Sequence, residues 1–403
     1  MKRLLTVFVL LGTIVSCTNN KNEKQAAVST EVKQITSPAS DSSAEPFLFT
    51  NKINLVYLSW VEKKGNESKL KFSTLSNEHW SEPVVIASGK SWFVNWADYP
   101  VLSADADGNL MAHFLEKSAA GTYTYDVKLI NSSDKGKTWS NSKILNDDGK
   151  EAEHGFVSMA PYGDKIFVSW LDGRNAAMDG GHTGHEEHQG QMTIRGAIIT
   201  KQGIKESEWE LDNRVCDCCQ TSAAITDNGP VVVYRDRSED EIRDMSIVRY
   251  VNGKWTTPTT IFPDNWKIAG CPVNGPRADA INNNLAIAWF SMADKKGQVN
   301  LVFSKDGGQT FDKPIRIDEG KPIGRVDVLM LDSATAMASW MEGSSIKAVK
   351  VNMDGKKESS ILIASSSEAR SSGFPQMTKS GNRIFFAWTD DKAKTVRVAC
   401  LDL

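Results

Sequence analysis

Four cysteines and four histidines carry the chemistry that this chain could perform. Cys216-Asp217-Cys218-Cys219-Gln220 holds three of the six cysteines in four positions, and a fourth, Cys271, stands in Gly270-Cys-Pro-Val-Asn-Gly-Pro-Arg277. His182, His185 and His188 occupy every third position of the Gly-rich stretch from Met178 to Met192, and His154 precedes it. Thiolates, imidazoles and the thioethers of Met178 and Met192 form a ligand set for a soft or borderline ion, copper first and zinc second, unlike the all-oxygen sites of calcium or magnesium. The paired C-x-x-C knuckles of structural zinc and the C-x-x-C-H of haem attachment are missing from the sequence. Two other readings stay open. In an oxidising compartment Cys216 and Cys271 could form a disulfide, and the histidine stretch could be a solvated loop without a ligand. Cys400, in Val396 to Cys400, reads as a buried apolar residue.

The elements that must position these residues are short strands. Apolar segments rich in Val, Ile, Trp and Phe are punctuated by Gly, Asn and Asp, an all-β signature. Seven of them end on an aromatic residue, at Trp60, Phe114, Trp170, Tyr234, Trp289, Trp340 and Trp388, with spacings of 54, 56, 64, 55, 51 and 48 residues. A repeat of this length, holding an inner strand, the aromatic-ended strand, a third and an outer strand, predicts a seven-bladed propeller, or six or eight blades if an end unit is miscounted. The last unit runs out at Leu403 after three strands, so a strand near Glu31 to Ile35 is expected to complete it and remove an exposed edge.

Two turns sharpen the assignment. Ser132-Ser-Asp134-Lys-Gly136-Lys-Thr138-Trp139 and Ser304-Lys-Asp306-Gly-Gly308-Gln-Thr310-Phe311 both fit S-x-D-x-G-x-T-[WF], and Asn252 to Trp255 and Asn77 to Trp80 are degenerate relatives. The pattern resembles the Asp-box of sialidase-like, BNR-repeat propellers. Asp134 and Asp306 are read as structural, their carboxylates satisfying backbone amides of a tight turn whose glycine takes a positive φ. The resemblance places such turns between third and outer strands and implies that ligands bind on the opposite face, formed by the loops leading into the inner strands and those between second and third strands. Cys216 lies 18 residues before Tyr234 and Cys271 lies 18 before Trp289, whereas Cys218 and His154 each lie 16 before their own markers. This register sends His154, the four cysteines and the His182 to His188 insertion to that one face.

The N-terminus sets the compartment. Met1-Lys2-Arg3 precedes an apolar run from Leu4 to Val15 of signal-peptide length. The run ends in Ile14-Val-Ser-Cys17, which resembles the lipobox of bacterial lipoproteins and implies lipidation of Cys17. The expected organisation is a signal over 1–16, a polar tether over 17–43 and a single propeller over 44–403. Removal of Lys2 and Arg3 moves the formal charge from −3 to −5, and without a basic patch nucleic acid is excluded as a partner. A lipid-anchored monomer of the bacterial cell envelope, on the periplasmic side or the outer-membrane surface, follows.

A competing reading is glycoside hydrolysis. Sialidases, which this chain resembles, use three arginines for the sugar carboxylate, a Tyr-Glu nucleophile pair and an Asp acid/base, but the Phe-Arg-Ile-Pro segment that carries their first arginine is missing. Candidates on the expected face are Asp98, Tyr99, Asp172, Arg174, Arg235, Asp236, Arg237, Arg277 and Arg325. Arg277 lies 12 residues and Arg325 lies 15 residues before its marker, so opposite strand parity is expected to point them apart. Asp172 and Arg174 also read as a buried pair bracing the blade. The preferred reading is an envelope propeller whose Cys/His-rich face binds copper or zinc, ahead of a divergent exo-acting hydrolase with a carbohydrate ligand and of a protein-binding scaffold.

Overall fold

The computed structural model describes residues 31–176 and 191–403 as seven antiparallel sheets arranged as the blades of a propeller. The inner strands are Ser43–Thr50, Leu102–Ala104, His154–Tyr162, Ser222–Thr226, Arg277–Ile281, Pro322–Met330 and Gln376–Ser380, each followed by its hydrogen-bonded second strand. All seven aromatic markers lie on those second strands. Such a strand has a neighbouring blade on both faces, so it reads as continuous apolar sequence; every residue of Gly229–Arg235 is buried. Trp60, Trp170, Trp289 and Trp340 are almost wholly excluded from solvent. Their indole N–H groups donate to Glu62, Asp172, Asp264 and Glu342 at 2.6–2.8 Å, which satisfies the polar tip that burial would otherwise strand.

Both S-x-D-x-G-x-T turns connect a third to an outer strand. In the first, Asp134 accepts hydrogen bonds from Ser132 Oγ, Thr138 N and Thr138 Oγ1 at 2.8, 2.9 and 2.6 Å, and Asp306 repeats this set with Ser304 and Thr310. These donors hold the Asp134 carboxyl down at about 2. Gly136 has φ +83°, and a Cβ there would stand 2.4 Å from the Phe72 ring of the preceding blade. Trp139 meets that ring edge-on with centroids 6.0 Å apart. Asn252-Gly253 and Asn77-Glu78 make hairpin turns with two consecutive positive φ angles instead.

Closure follows the expectation, with one correction. Val32–Ile35 pairs antiparallel with Thr395–Asp402, from Val32 opposite Leu401 to Ile35 opposite Val398, and supplies the outer strand of the last blade. Part of the segment expected to be tether over 17–43 is therefore propeller, because Val32–Ile35 takes up the hydrogen bonds along the free edge of the last strand. Cys17 lies outside the described residues.

Candidate thiol site and its cavity

The cysteine run is an excursion from the inner edge of blade four. Val215 bridges Asp236, and Ser222 pairs with Val233, so six residues, 216–221, stand where the neighbouring strand has two. The surplus curls into a tight loop, held at one end by Cys216 N donating to Arg235 O at 3.0 Å. Gln220 fastens the other end: its Nε2 donates to Ala97 O at 2.6 Å and its Oε1 accepts Gly275 N at 2.9 Å. Gly275 is required there, since a Cβ would lie 2.2 Å from Gln220 O and 2.6 Å from Gln220 N. The Cys271 loop is thereby clamped against the cysteine run.

The curl brings three sulfurs together. Cys216 Sγ lies 3.8 Å from Cys218 Sγ and 3.6 Å from Cys219 Sγ. Asp217, Cys218 and Cys271 form a second group whose ligand atoms all lie within 4.8 Å of one another, sharing Cys218 with the first. Cys216 and Cys219 are buried, Cys218 is half-buried and Cys271 is exposed. All five described cysteines, Cys400 included, are unpaired thiols, and Cys271 keeps company with Cys218 rather than forming the alternative bridge to Cys216. Cys400 is buried in the last strand, as its sequence context predicts. Burial pushes the Cys216 thiol up to about 11. Burial opposes ionisation of Cys219 as well, but the Cys216 and Cys218 thiols and the Arg235 charge outweigh it and hold Cys219 well below the ordinary range. The buried Arg243 donates from Nη1 to Cys216 Sγ and to Asp217 Oδ1, each at 3.2 Å, and from Nη2 to Glu241 at 2.8 Å.

Cys218, Asp217 and Cys271 open onto a cavity of about 500 Å³. Its walls come from loops leading into inner strands and from loops between second and third strands, the two sets expected on the face opposite the Asp-box turns. Phe93, Trp96, Tyr123 and Tyr125 make it aromatic on one side. Glu153 accepts a hydrogen bond from Tyr125 OH at 2.8 Å, and burial pushes its carboxyl up to about 8. Sequence reasoning missed Glu153, Tyr125, Asp217 and Arg243. Asp217 was legible inside the cysteine run and Glu153 beside His154, but nothing local marks Tyr125 or Arg243.

His154 does not join the thiols. It belongs to the inner strand His154–Tyr162, where a bulge between Gly155 and Ser158 breaks the register assumed in counting back from Trp170. Its Nδ1 is 3.1 Å from Tyr125 O and its Nε2 is 3.0 Å from Asp148, with Asp172 at 3.8 Å. Burial works against its charge, but Asp148 and Asp172 prevail and raise its pKa. Arg174 completes the cluster, its Nε 2.7 Å from Asp172 and 3.1 Å from Asp148. Asp172 and Arg174 are thus a buried brace with both partners engaged. His182, His185 and His188 lie outside the described residues, as does Met178; Met192 is buried and lines the cavity.

The arginines considered for a sugar carboxylate have protein partners. Arg235 donates to the carbonyls of Arg243, Asn274 and Phe290 and lies 4.8 Å over Trp266. Arg277 donates to Gln376 at 2.6 Å and faces the Tyr99 ring at 5.7 Å. Arg325 donates to Ser372 Oγ and to the carbonyls of Gly373, Glu368 and Ala369, over Trp96 at 5.1 Å. Arg237 is doubly bonded to Glu241 at the cavity rim, Asp236 accepts from Ser246, and Asp98 accepts Phe156 N while burial lifts its carboxyl to about 7. The guanidinium groups of Arg235, Arg277 and Arg325 are thus each engaged by side chains or carbonyls of the packed lead-in loops.

Residues 64–387 match the family model described as BNR repeat-like domain. Among solved structures, the polysaccharide lyase Uly1 is similar at 9% identity over 94% of this chain and 94% of its own, with a TM-score of 0.54. An ulvan lyase described as a new family of polysaccharide lyase, bound to -[GlcA(1-4)Rha3S]-, is similar at 13% identity over 78% of this chain and 80% of its own, with a TM-score of 0.50. A Hadza microbial sialidase aligns at 13% identity over 84% and 74%, with a TM-score of 0.48. At these identities the likeness is one of fold. No curated protein sequence matches the chain.

Proposed function

The chain belongs to the BNR repeat-like domain family, and from that premise we propose that this propeller is a binding protein whose cysteine-bearing face takes a soft metal ion, copper(I) before zinc(II). The observation that carries the reading is the sulfur spacing of 3.6 and 3.8 Å around Cys216. Sulfurs sharing one ion at about 2.3 Å in tetrahedral directions stand roughly 3.8 Å apart, whereas disulfide sulfurs stand about 2.05 Å apart. Three thiolates suit a soft ion, and the Arg243 guanidinium beside Cys216 offsets part of their charge. Cys216, Cys218 and Cys219 are the principal ligands, Cys271 serves on the exposed side, and His182, His185 and His188 enter the proposal on sequence alone. Glycoside hydrolysis ranks second, because Arg235, Arg277 and Arg325 are already bonded within the protein.

Protein purified anaerobically is expected to hold about one copper or zinc per chain, with thiols that a chelator renders titratable. Cys216→Ser and Cys219→Ser should each lower the affinity at least tenfold while the melting temperature stays within a few degrees of the parent. Equal metal content in the parent and both folded variants overturns the reading.

The proposal includes an envelope location, with a lipid on Cys17 carrying a monomeric propeller. No helix among the described residues is long and apolar enough to cross a membrane. Cys17→Ser should move the protein out of the membrane fraction, and a variant that still sediments with membranes as the parent does rejects the anchor.

A further inference from the structure

The two groups of ligand atoms overlap at one residue. The buried group is Cys216, Cys218 and Cys219, the outer group is Asp217, Cys218 and Cys271, and Cys218 belongs to both. Solvent access differs sharply between them, since Cys216 and Cys219 are only 1% and 2% exposed while Cys271 is exposed. The cavity has the same asymmetry: Asp217, Cys218 and Cys271 line it, and Cys216 and Cys219 do not. An ion arriving through the cavity therefore meets the outer group first. It reaches the inner sulfurs only past Cys218.

We infer that the site has two stations, an outer one at Asp217, Cys218 and Cys271 that takes up copper(I) and an inner one at Cys216, Cys218 and Cys219 that stores it, with Cys218 bound throughout the exchange. The inference rests on the metal reading above. In the transfer, the bonds from the ion to Cys271 Sγ and the Asp217 carboxylate break, and bonds to Cys216 Sγ and Cys219 Sγ form. Cys216 releases its proton as it binds, Cys219 enters as a thiolate, the departing Cys271 thiolate takes one proton up, and copper remains copper(I) throughout. Keeping Cys218 bound avoids a fully dissociated ion, so the exchange proceeds one ligand at a time. Arg243 touches one ligand of each station, with Cys216 Sγ and Asp217 Oδ1 each 3.2 Å from its Nη1, and so braces the stretch of the cysteine loop that joins them. A cavity of about 500 Å³ is in the range that admits a small ligand, so the copper donor is a small thiol or thioether complex rather than a bare surface contact.

The test uses the full chain, anaerobic, with copper(I) supplied in acetonitrile. Uptake is followed by the thiolate-to-copper absorbance in a stopped-flow instrument, and affinity by competition with bicinchoninate. Cys271→Ser is expected to slow uptake tenfold or more, with a far smaller loss of affinity than Cys219→Ser. Asp217→Asn should slow it several-fold. Cys219→Ser should retain fast uptake but lose affinity by at least a hundredfold; Cys216→Ser is the substitute if that variant melts early. If Cys271→Ser loses as much affinity as Cys219→Ser, one ion is held by four thiolates and the two stations do not exist. Unchanged uptake in Cys271→Ser removes that residue from the path and also overturns the inference. A parent that binds no copper(I) instead rejects the metal reading itself.

Discussion

Glu45 is the residue whose position most clearly ties stability to pH. It lies in a bulge between Ala44 and Phe47 with φ +56°, its side chain is buried, and its Oε2 lacks a hydrogen-bond partner. Burial, only partly offset by Lys63 and reinforced by Asp98, lifts it from an ordinary 4.5 to about 8. The folded protein therefore binds a proton that the unfolded chain releases, so this group stabilises the fold fully below about 4.5 and loses its contribution as pH rises towards 8. The slope is about 1.4 kcal/mol per pH unit across that window. Glu45→Gln keeps the shape without the titration, so it should melt higher than the parent at pH 8 and together with it near pH 5. Parallel melting curves at both pH values, read by calorimetry, would contradict this assignment.

Among the elements, the two clamped loops decide whether there is a site at all. The cysteine excursion has six residues in place of two and few sheet hydrogen bonds of its own, so its shape depends on Gln220 bridging Ala97 and Gly275. Gly275→Ala would drive a Cβ into the Gln220 backbone, and neither side is a flexible tip that can yield. The expected result is a local opening: a loss of about 1–3 kcal/mol and at least a tenfold fall in metal affinity, with the circular dichroism of the sheets retained. If Gly275→Ala binds metal as the parent does, the clamp does not shape the thiol cluster.

Closure belongs to the whole molecule. The last blade takes its outer strand from Val32–Ile35, and Lys33 adds an ion pair with Asp402 at 2.8 Å across the seam. Deleting the chain through Thr36 would leave Thr395–Asp402 as an open edge ready to pair with another copy. The truncated protein should melt several degrees lower, associate at high concentration by light scattering, and let a thiol reagent reach Cys400, which is 4% exposed in the closed ring. An unchanged melting temperature and an unreactive Cys400 would mean that the seam contributes little.

What the sequence by itself determined is what local physics encodes. The aromatic-ended strands recur because a strand covered on both faces must be apolar throughout, and Asp134 and Asp306 are recognisable because their turns are satisfied within eight residues. Strand order, blade count and the closing strand follow from such signals, and the resemblance of the Asp134 and Asp306 turns to the Asp-box implied which loop sets form the cavity face. Tertiary structure alone decided the partners. Counting back from Trp170 and Tyr234 made His154 and Cys218 equivalent, yet one extra residue in the first inner strand and four in the second separate an ion-paired imidazole from a thiol cluster. Arg235, Arg277 and Arg325 were legible as candidates, but only packed loops could show that carbonyls, Ser372 and Gln376 lie within their reach. Bulges change which residues meet without altering the apolar pattern that marks a strand. The site therefore had to be read from distances between segments far apart in the chain.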